Sequence, residues 1–298
     1  MLKFQPTGFS QQVVETPLGV MAYYTPSSFP WRDPAAPSDY PTLVFLHSLG
    51  GGSSAFEWSK LYPAFAPTHR VIAPDLIGWG QSSHPPRSYR VEDYFEVITV
   101  LLEKVVQQPT VVAASSLTAG VVIRLAIQRP DLFKGLFLVS PAGNSDFGRN
   151  YRFSLPAQLV GIPGLDRLIY NLGAANETAV SNFLSTFLFA DPSCITPDIV
   201  EAYLTGTQQL NAEYSALASL KGDIAFDLSL YLGQLTVPTA FVWGMRSRFN
   251  PPEFGKRLAS LNPKAVRHFY EIPDAGVLAH LEHPSVVAGL LEAFCAAL

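Results

Sequence analysis

Ser116 is the residue of this chain best placed for nucleophilic chemistry. It lies in Val111-Val112-Ala113-Ala114-Ser115-Ser116-Leu117-Thr118-Ala119-Gly120, an apolar run that passes through small residues into a helical pattern. A serine on a sharp strand-to-helix turn needs small neighbours two positions before and two after, and here those are Ala114 and Thr118. A tight turn with a serine helix cap is the plain structural alternative. Another block, His47-Ser48-Leu49-Gly50-Gly51-Gly52, follows a short apolar run, and its glycines let backbone N–H groups approach a ligand or an oxyanion. Gly50-x-Gly52-x-x-Ala55 with Asp75 also fits a dinucleotide fingerprint, but the block follows an internal strand and His47 has no role in that motif. No cofactor is expected.

Two further blocks fall late in the chain. Gly244-Met245-Arg246-Ser247-Arg248-Phe249-Asn250-Pro251 holds two guanidinium groups that could accept a ligand carboxylate or phosphate, or simply face solvent. The second runs from Ile272 to Pro284 and contains Val277, His280, Glu282 and His283. His280-x-x-His283 with Glu282 lacks an identifiable third ligand, so no metal site is expected.

The elements that must position these residues are legible from periodicity. The pattern predicts a hairpin over 9–14 and 20–24, a Pro-rich loop over 25–41, and strands over 42–47, 70–74, 110–114 and 134–140. Helices are predicted over 53–65, 91–106 and 117–128. The alternation stops near Asn144, runs helical and loop-like to about Leu235, then resumes with strands over 239–243 and 266–272 and helices over 252–260 and from Pro284 onward. Short continuous apolar runs alternating with helices mean a parallel sheet covered on both faces. A long helical insertion between two strands reads as a cap above the sheet's carboxyl edge, where open α/β sheets bind ligands.

Composition excludes several classes. With 298 residues, 48% hydrophobic and 15% charged, the chain is folded, with one core or a core plus a cap. A net charge of -4 without a basic run argues against a nucleic-acid partner. Cys194 and Cys295 have no partners at metal spacing and read as reduced, buried thiols. The start Met1-Leu2-Lys3-Phe4-Gln5-Pro6 has no apolar signal region, and no transmembrane segment is expected, so the reading is a soluble, cytoplasmic protein.

The blocks, their order and their spacing resemble the α/β-hydrolase superfamily, in the capped branch of esterases, dehalogenases and C–C bond hydrolases, over nearly the whole chain. The resemblance implies an α/β fold with a mostly parallel eight-stranded sheet, helices on both faces and a helical cap. The core would be residues 1–144 and 236–298, and the cap 145–235. His47-Ser48-Leu49 matches the family's His-Gly-x segment, and Asp75-x-x-Gly78-x-Gly80-x-Ser82 its strand-end turn. Ser116 falls on the nucleophile, with the amides of Leu49 and Leu117 as oxyanion donors.

The departures are informative. Ser247 occupies the place of the family's catalytic acid, and Val277 that of its catalytic histidine. A serine hydroxyl stays a weak nucleophile until a positioned base takes its proton, and valine has no atom that can. His280 is the candidate relocated base, and Asp146 a candidate substitute acid. The resemblance therefore implies a hydrolase-like protein with a degenerate triad, non-catalytic or strongly impaired. It would bind an apolar small molecule or a protein partner, with His47, Ser48, Arg246 and Arg248 as candidate ligand contacts. The alternative is a serine ester hydrolase that uses Ser116 with His280.

Overall fold

The computed structural model describes residues 3–32, 40–149 and 175–298. Eight strands, β1 (Phe9–Thr16), β2 (Gly19–Pro26), β3 (Thr42–Leu46), β4 (Arg70–Pro74), β5 (Thr110–Ser115), β6 (Phe133–Val139), β7 (Thr239–Gly244) and β8 (Val266–Ile272), form one sheet. Their order is β1-β2-β4-β3-β5-β6-β7-β8. The β1–β2 hairpin is antiparallel and joins β4 antiparallel, while β3 to β8 run parallel. This is the mostly parallel α/β sheet expected from the alternation.

β3, β5 and β7 are buried along their whole length, which is why they read as unbroken apolar runs. Along β3, β5 and the end of β6 the apolar side chains alternate between two layers. Val44, Leu46, Val112 and Leu138 pack beneath α1 (Val91–Leu101) and α2 (Ser116–Gln128). Leu43, Phe45, Val111 and Phe137 face the opposite layer, which includes Trp58, Tyr62 and the last helix, α8 (Pro284–Ala296). Each such side chain contributes about 1.5–3 kcal/mol through its burial.

Between β6 and β7 the described residues form helices and no strand: α3 (Glu177–Phe183), continued by a π-helical turn (Leu184–Leu188), then α4 (Pro197–Thr207) and α5 (Ala212–Lys221). After β7 come α6 (Pro252–Ser260), β8, and the short α7 (Ala279–Glu282) that leads into α8. Insertion residues Val180, Leu184 and Tyr203 pack with Phe56, Val277 and Leu278 in a third cluster. The insertion is thereby seated on the loops at the sheet's carboxyl edge.

Two predicted helices differ in kind. Residues 53–65 form two 3-10 turns, Ala55–Trp58 and Tyr62–Phe65, because Pro63 cannot donate a hydrogen bond and its ring excludes a continuous helix. The helix predicted over 91–106 is α-helical only to Leu101 and ends in a π-helical turn closed by left-handed Gln107. Part of the Pro-rich loop (33–39) and part of the 145–235 insertion (150–174) lie outside the described residues. Among the described residues no helix is long and apolar enough to cross a membrane.

Candidate active site

Ser116 stands between β5 and α2 with a φ of 52°. A non-glycine residue in the left-handed region costs roughly 1–3 kcal/mol and persists only where its surroundings enforce it. Here the Ser116 carbonyl accepts the Ala142 amide at 3.2 Å, and a Cβ on Gly120 would collide with the Ala142 carbonyl. The strand-to-helix turn is therefore strained at Ser116. Its hydroxyl takes part in no hydrogen bond among the described residues, and Ser116 lines a cavity of about 90 Å³.

That cavity joins the elbow, the glycine loop, the insertion and the loop after β8. Ser48, Leu49, Ser116 and Leu117 line it from the core, and Phe183, Leu188, Ser219 and Leu220 from the insertion. The Leu117 amide is in the first turn of α2, where no intrahelical carbonyl is available, and the Leu49 amide has no partner in the loop. Both expected oxyanion donors thus belong to cavity-lining residues beside Ser116. Asn144 and Val277 complete the polar and apolar walls. No ionisable side chain lines the cavity among the described residues.

Val277 is buried in this wall, and its amide donates to the Leu188 carbonyl at 2.9 Å. Glu282 fixes the same loop by accepting from Gly276 at 2.5 Å and Ala190 at 2.7 Å, although burial raises its pKa. Ser247 is buried, and its hydroxyl accepts the Asn250 amide at 3.3 Å. Neither position supplies a carboxylate or an imidazole.

The chain's six histidines all lie among the described residues, and none lines the cavity. His47 is fully buried; its Nε2 accepts the Leu76 amide at 2.9 Å, so its Nδ1 carries the proton donated to the Ser48 carbonyl at 2.6 Å. It holds the glycine loop against the next strand end and has no nitrogen left for a ligand. His280 is fully buried and stacked on Trp58, with centroids 3.9 Å apart and neither ring nitrogen partnered. Burial lowers its pKa to about 4. His283 contacts the Asp274 carbonyl at 3.0 Å, away from Ser116.

The remaining candidates are likewise committed. Asp146 accepts the amides of Gly143 at 2.8 Å and Leu228 at 2.6 Å, and burial raises its pKa to about 6. It clamps the turn after β6 to the insertion. Arg248 donates to the Ser185 and Thr186 carbonyls at 3.1 and 3.2 Å, and Arg246 lies 3.8 Å from Asp274. Both guanidinium groups are exposed and outside the cavity, so the expected anion contact is not assembled there. Asp75 staples its turn by accepting from Ala55, Gln81 and Tyr24 at 2.7 to 2.9 Å. No cluster suited to a metal ion occurs among the described residues.

The residue that the sequence reading passed over is Glu57. It is fully buried and accepts from the Ser48 amide at 2.8 Å, the Ser48 hydroxyl at 2.8 Å, the Ser115 hydroxyl at 3.3 Å and the Tyr203 hydroxyl at 3.0 Å. A glutamate inside the apolar run Ala55-Phe56-Glu57-Trp58 was the only signal available.

A sequence model of the alpha/beta hydrolase fold matches residues 41–284. The chain belongs to the α/β-hydrolase family. Among curated α/β-hydrolase relatives, an uncharacterized hydrolase of Bacillus subtilis is 26% identical over 91% of this chain and 92% of its own length. The 2-hydroxy-6-oxo-6-phenylhexa-2,4-dienoate hydrolase of Burkholderia cepacia is 26% identical over 81% of this chain and 82% of its own. Among solved structures, a carboxylesterase from Bacillus subtilis superposes with a TM-score of 0.76 at 18% identity, covering 100% of this chain and 95% of that one. A haloalkane dehalogenase from Bradyrhizobium elkani gives 0.75 at 21% identity, covering 97% and 100%. These likenesses bear on the α/β-hydrolase fold.

Proposed function

We propose that this α/β-hydrolase is non-catalytic or strongly impaired in triad chemistry and retains the elbow cavity as a binding site for an apolar small molecule. One observation carries the reading. Around Ser116 the wall contains Val277 and no histidine, carboxylate or other ionisable side chain among the described residues. Without a base the hydroxyl keeps its proton, and such losses remove orders of magnitude in rate. The apolar lining and the two outward amides are what remains, and they suit a small apolar ligand with a carbonyl-type acceptor. In this reading the helices between β6 and β7 serve as the cap of that cavity.

The retained elbow, with its strained Ser116, favours one second reading, a serine ester hydrolase with His280 as relocated base. The stacking of His280 on Trp58 and its absence from the cavity wall weigh against it. Turnover of p-nitrophenyl butyrate by the wild type and by Ser116→Ala separates the two. Equal rates, both at the level of a non-specific protein surface, are expected. A wild-type rate at least tenfold above Ser116→Ala would establish the hydrolase instead.

A further inference from the structure

The environment behind the cavity carries a second message, about charge. Among the described residues Glu57 has no cationic partner; it accepts from Ser48, Ser115 and Tyr203, and the buried His280 ring lies near enough to sense its charge. Two hydrogen-bonding groups on each oxygen match the acceptor capacity of a carboxylate. Ser48 immediately precedes Leu49, and Ser115 immediately precedes Ser116 and Leu117. A single carboxylate thus backs both segments whose amides face the cavity.

The magnitudes decide the sign of the local field. The start of α2 offers a partial positive charge of roughly half a unit, which alone would welcome an anion. Glu57 opposes it with a full negative charge in a region from which water is excluded, where like charges repel more strongly than at the surface. Among the described residues no cation on the cavity wall offsets this, because Arg246 and Arg248 are held elsewhere.

We propose that the cavity takes a neutral apolar ligand with a carbonyl acceptor, and that Glu57 is the specificity-determining residue that rejects carboxylates. This rests on the reading of the cavity as a ligand site.

Three probes matched in heavy-atom count test it on the full chain at neutral pH: octanamide, methyl heptanoate and octanoate, titrated calorimetrically. In the wild type both neutral probes bind at least about tenfold more tightly than octanoate. Glu57→Gln removes the charge and can keep the network. Its amide oxygen can accept from the Ser48 amide and the Ser115 hydroxyl, while its NH2 donates to the Ser48 and Tyr203 hydroxyls, which turn to accept. In that variant octanamide affinity is held and octanoate gains several-fold, so the ratio narrows. A ratio unchanged in a variant that still binds octanamide normally overturns the role of Glu57. Wild type that prefers octanoate overturns the ligand class, whether or not the variant folds. Failure of every probe to bind wild type removes the cavity reading itself, and this inference with it. Hydrolysis of methyl heptanoate would contradict only the non-catalytic reading, with octanamide and octanoate still judging Glu57.

Discussion

Val277 and Ser116 line one cavity, and no ionisable side chain lines it among the described residues. The valine is not a surface accident. Its amide is bonded to Leu188 of the insertion, and Glu282 pins the residues on either side of that contact. Val277 and Leu188 make this part of the cavity wall hydrocarbon.

Rebuilding the two missing groups should restore chemistry. The double variant Ser247→Asp/Val277→His places an acid and an imidazole at the positions that the sequence resemblance assigns to them, and a positioned general base typically contributes about 10²–10⁴ in rate. Hydrolysis of p-nitrophenyl butyrate should rise at least about tenfold over wild type, and the gain should vanish when Ser116→Ala is added. A folded double variant with no gain would mean that these positions do not address Ser116.

The insertion is fastened to the glycine loop by backbone packing as well as by Tyr203 and Glu57. A Cβ on Gly206, in α4, would lie 2.6 Å from the Gly52 carbonyl, whereas one on Gly289, in α8, would meet nothing within 4 Å. Helix propensity favours alanine at both. Gly289→Ala should therefore stabilise the protein by about 0.5–1 kcal/mol, while Gly206→Ala should destabilise it by about 1–3 kcal/mol through overpacking against backbone. Urea unfolding midpoints compare the two directly, and equal shifts would refute the close packing.

His280 gives the stability a pH dependence of definite sign. Burial lowers its folded-state pKa from 6.5 to about 4. The stability tied to its neutral form is present above pH 6.5 and is lost as pH falls towards 4, because the unfolded chain binds a proton that the folded chain refuses. The loss over that window is on the order of 3 kcal/mol. His280→Phe keeps a ring on Trp58 and removes two unpartnered nitrogens, so its stability at pH 7 should be held or raised and the slope between pH 6.5 and 4 reduced. An identical slope in the variant would assign the pH dependence elsewhere.

Much of this architecture is local enough to read from the chain. β8 and α6 are bounded as their periodicity predicts. What escaped depends on distant partners. His47 offers itself as a ligand contact until the Leu76 amide takes its Nε2, and nothing near Glu57 in the chain points to Tyr203, 146 residues later, which closes over it. Pro63 was visible in the sequence, yet the apolar spacing around it outweighed the helix break it causes. Side-chain satisfaction is a tertiary property, and a motif cannot display it.

The absence of a base beside Ser116 is tested most directly by fluorophosphonate labelling of the purified full chain, with Ser116→Ala in parallel. Such a probe reports whether the hydroxyl is activated, whatever the natural ligand. A folded wild type labelled no faster than Ser116→Ala is the expected result. Labelling that is rapid in wild type and disappears in Ser116→Ala would contradict the non-catalytic reading, and would place a working base within reach of the elbow.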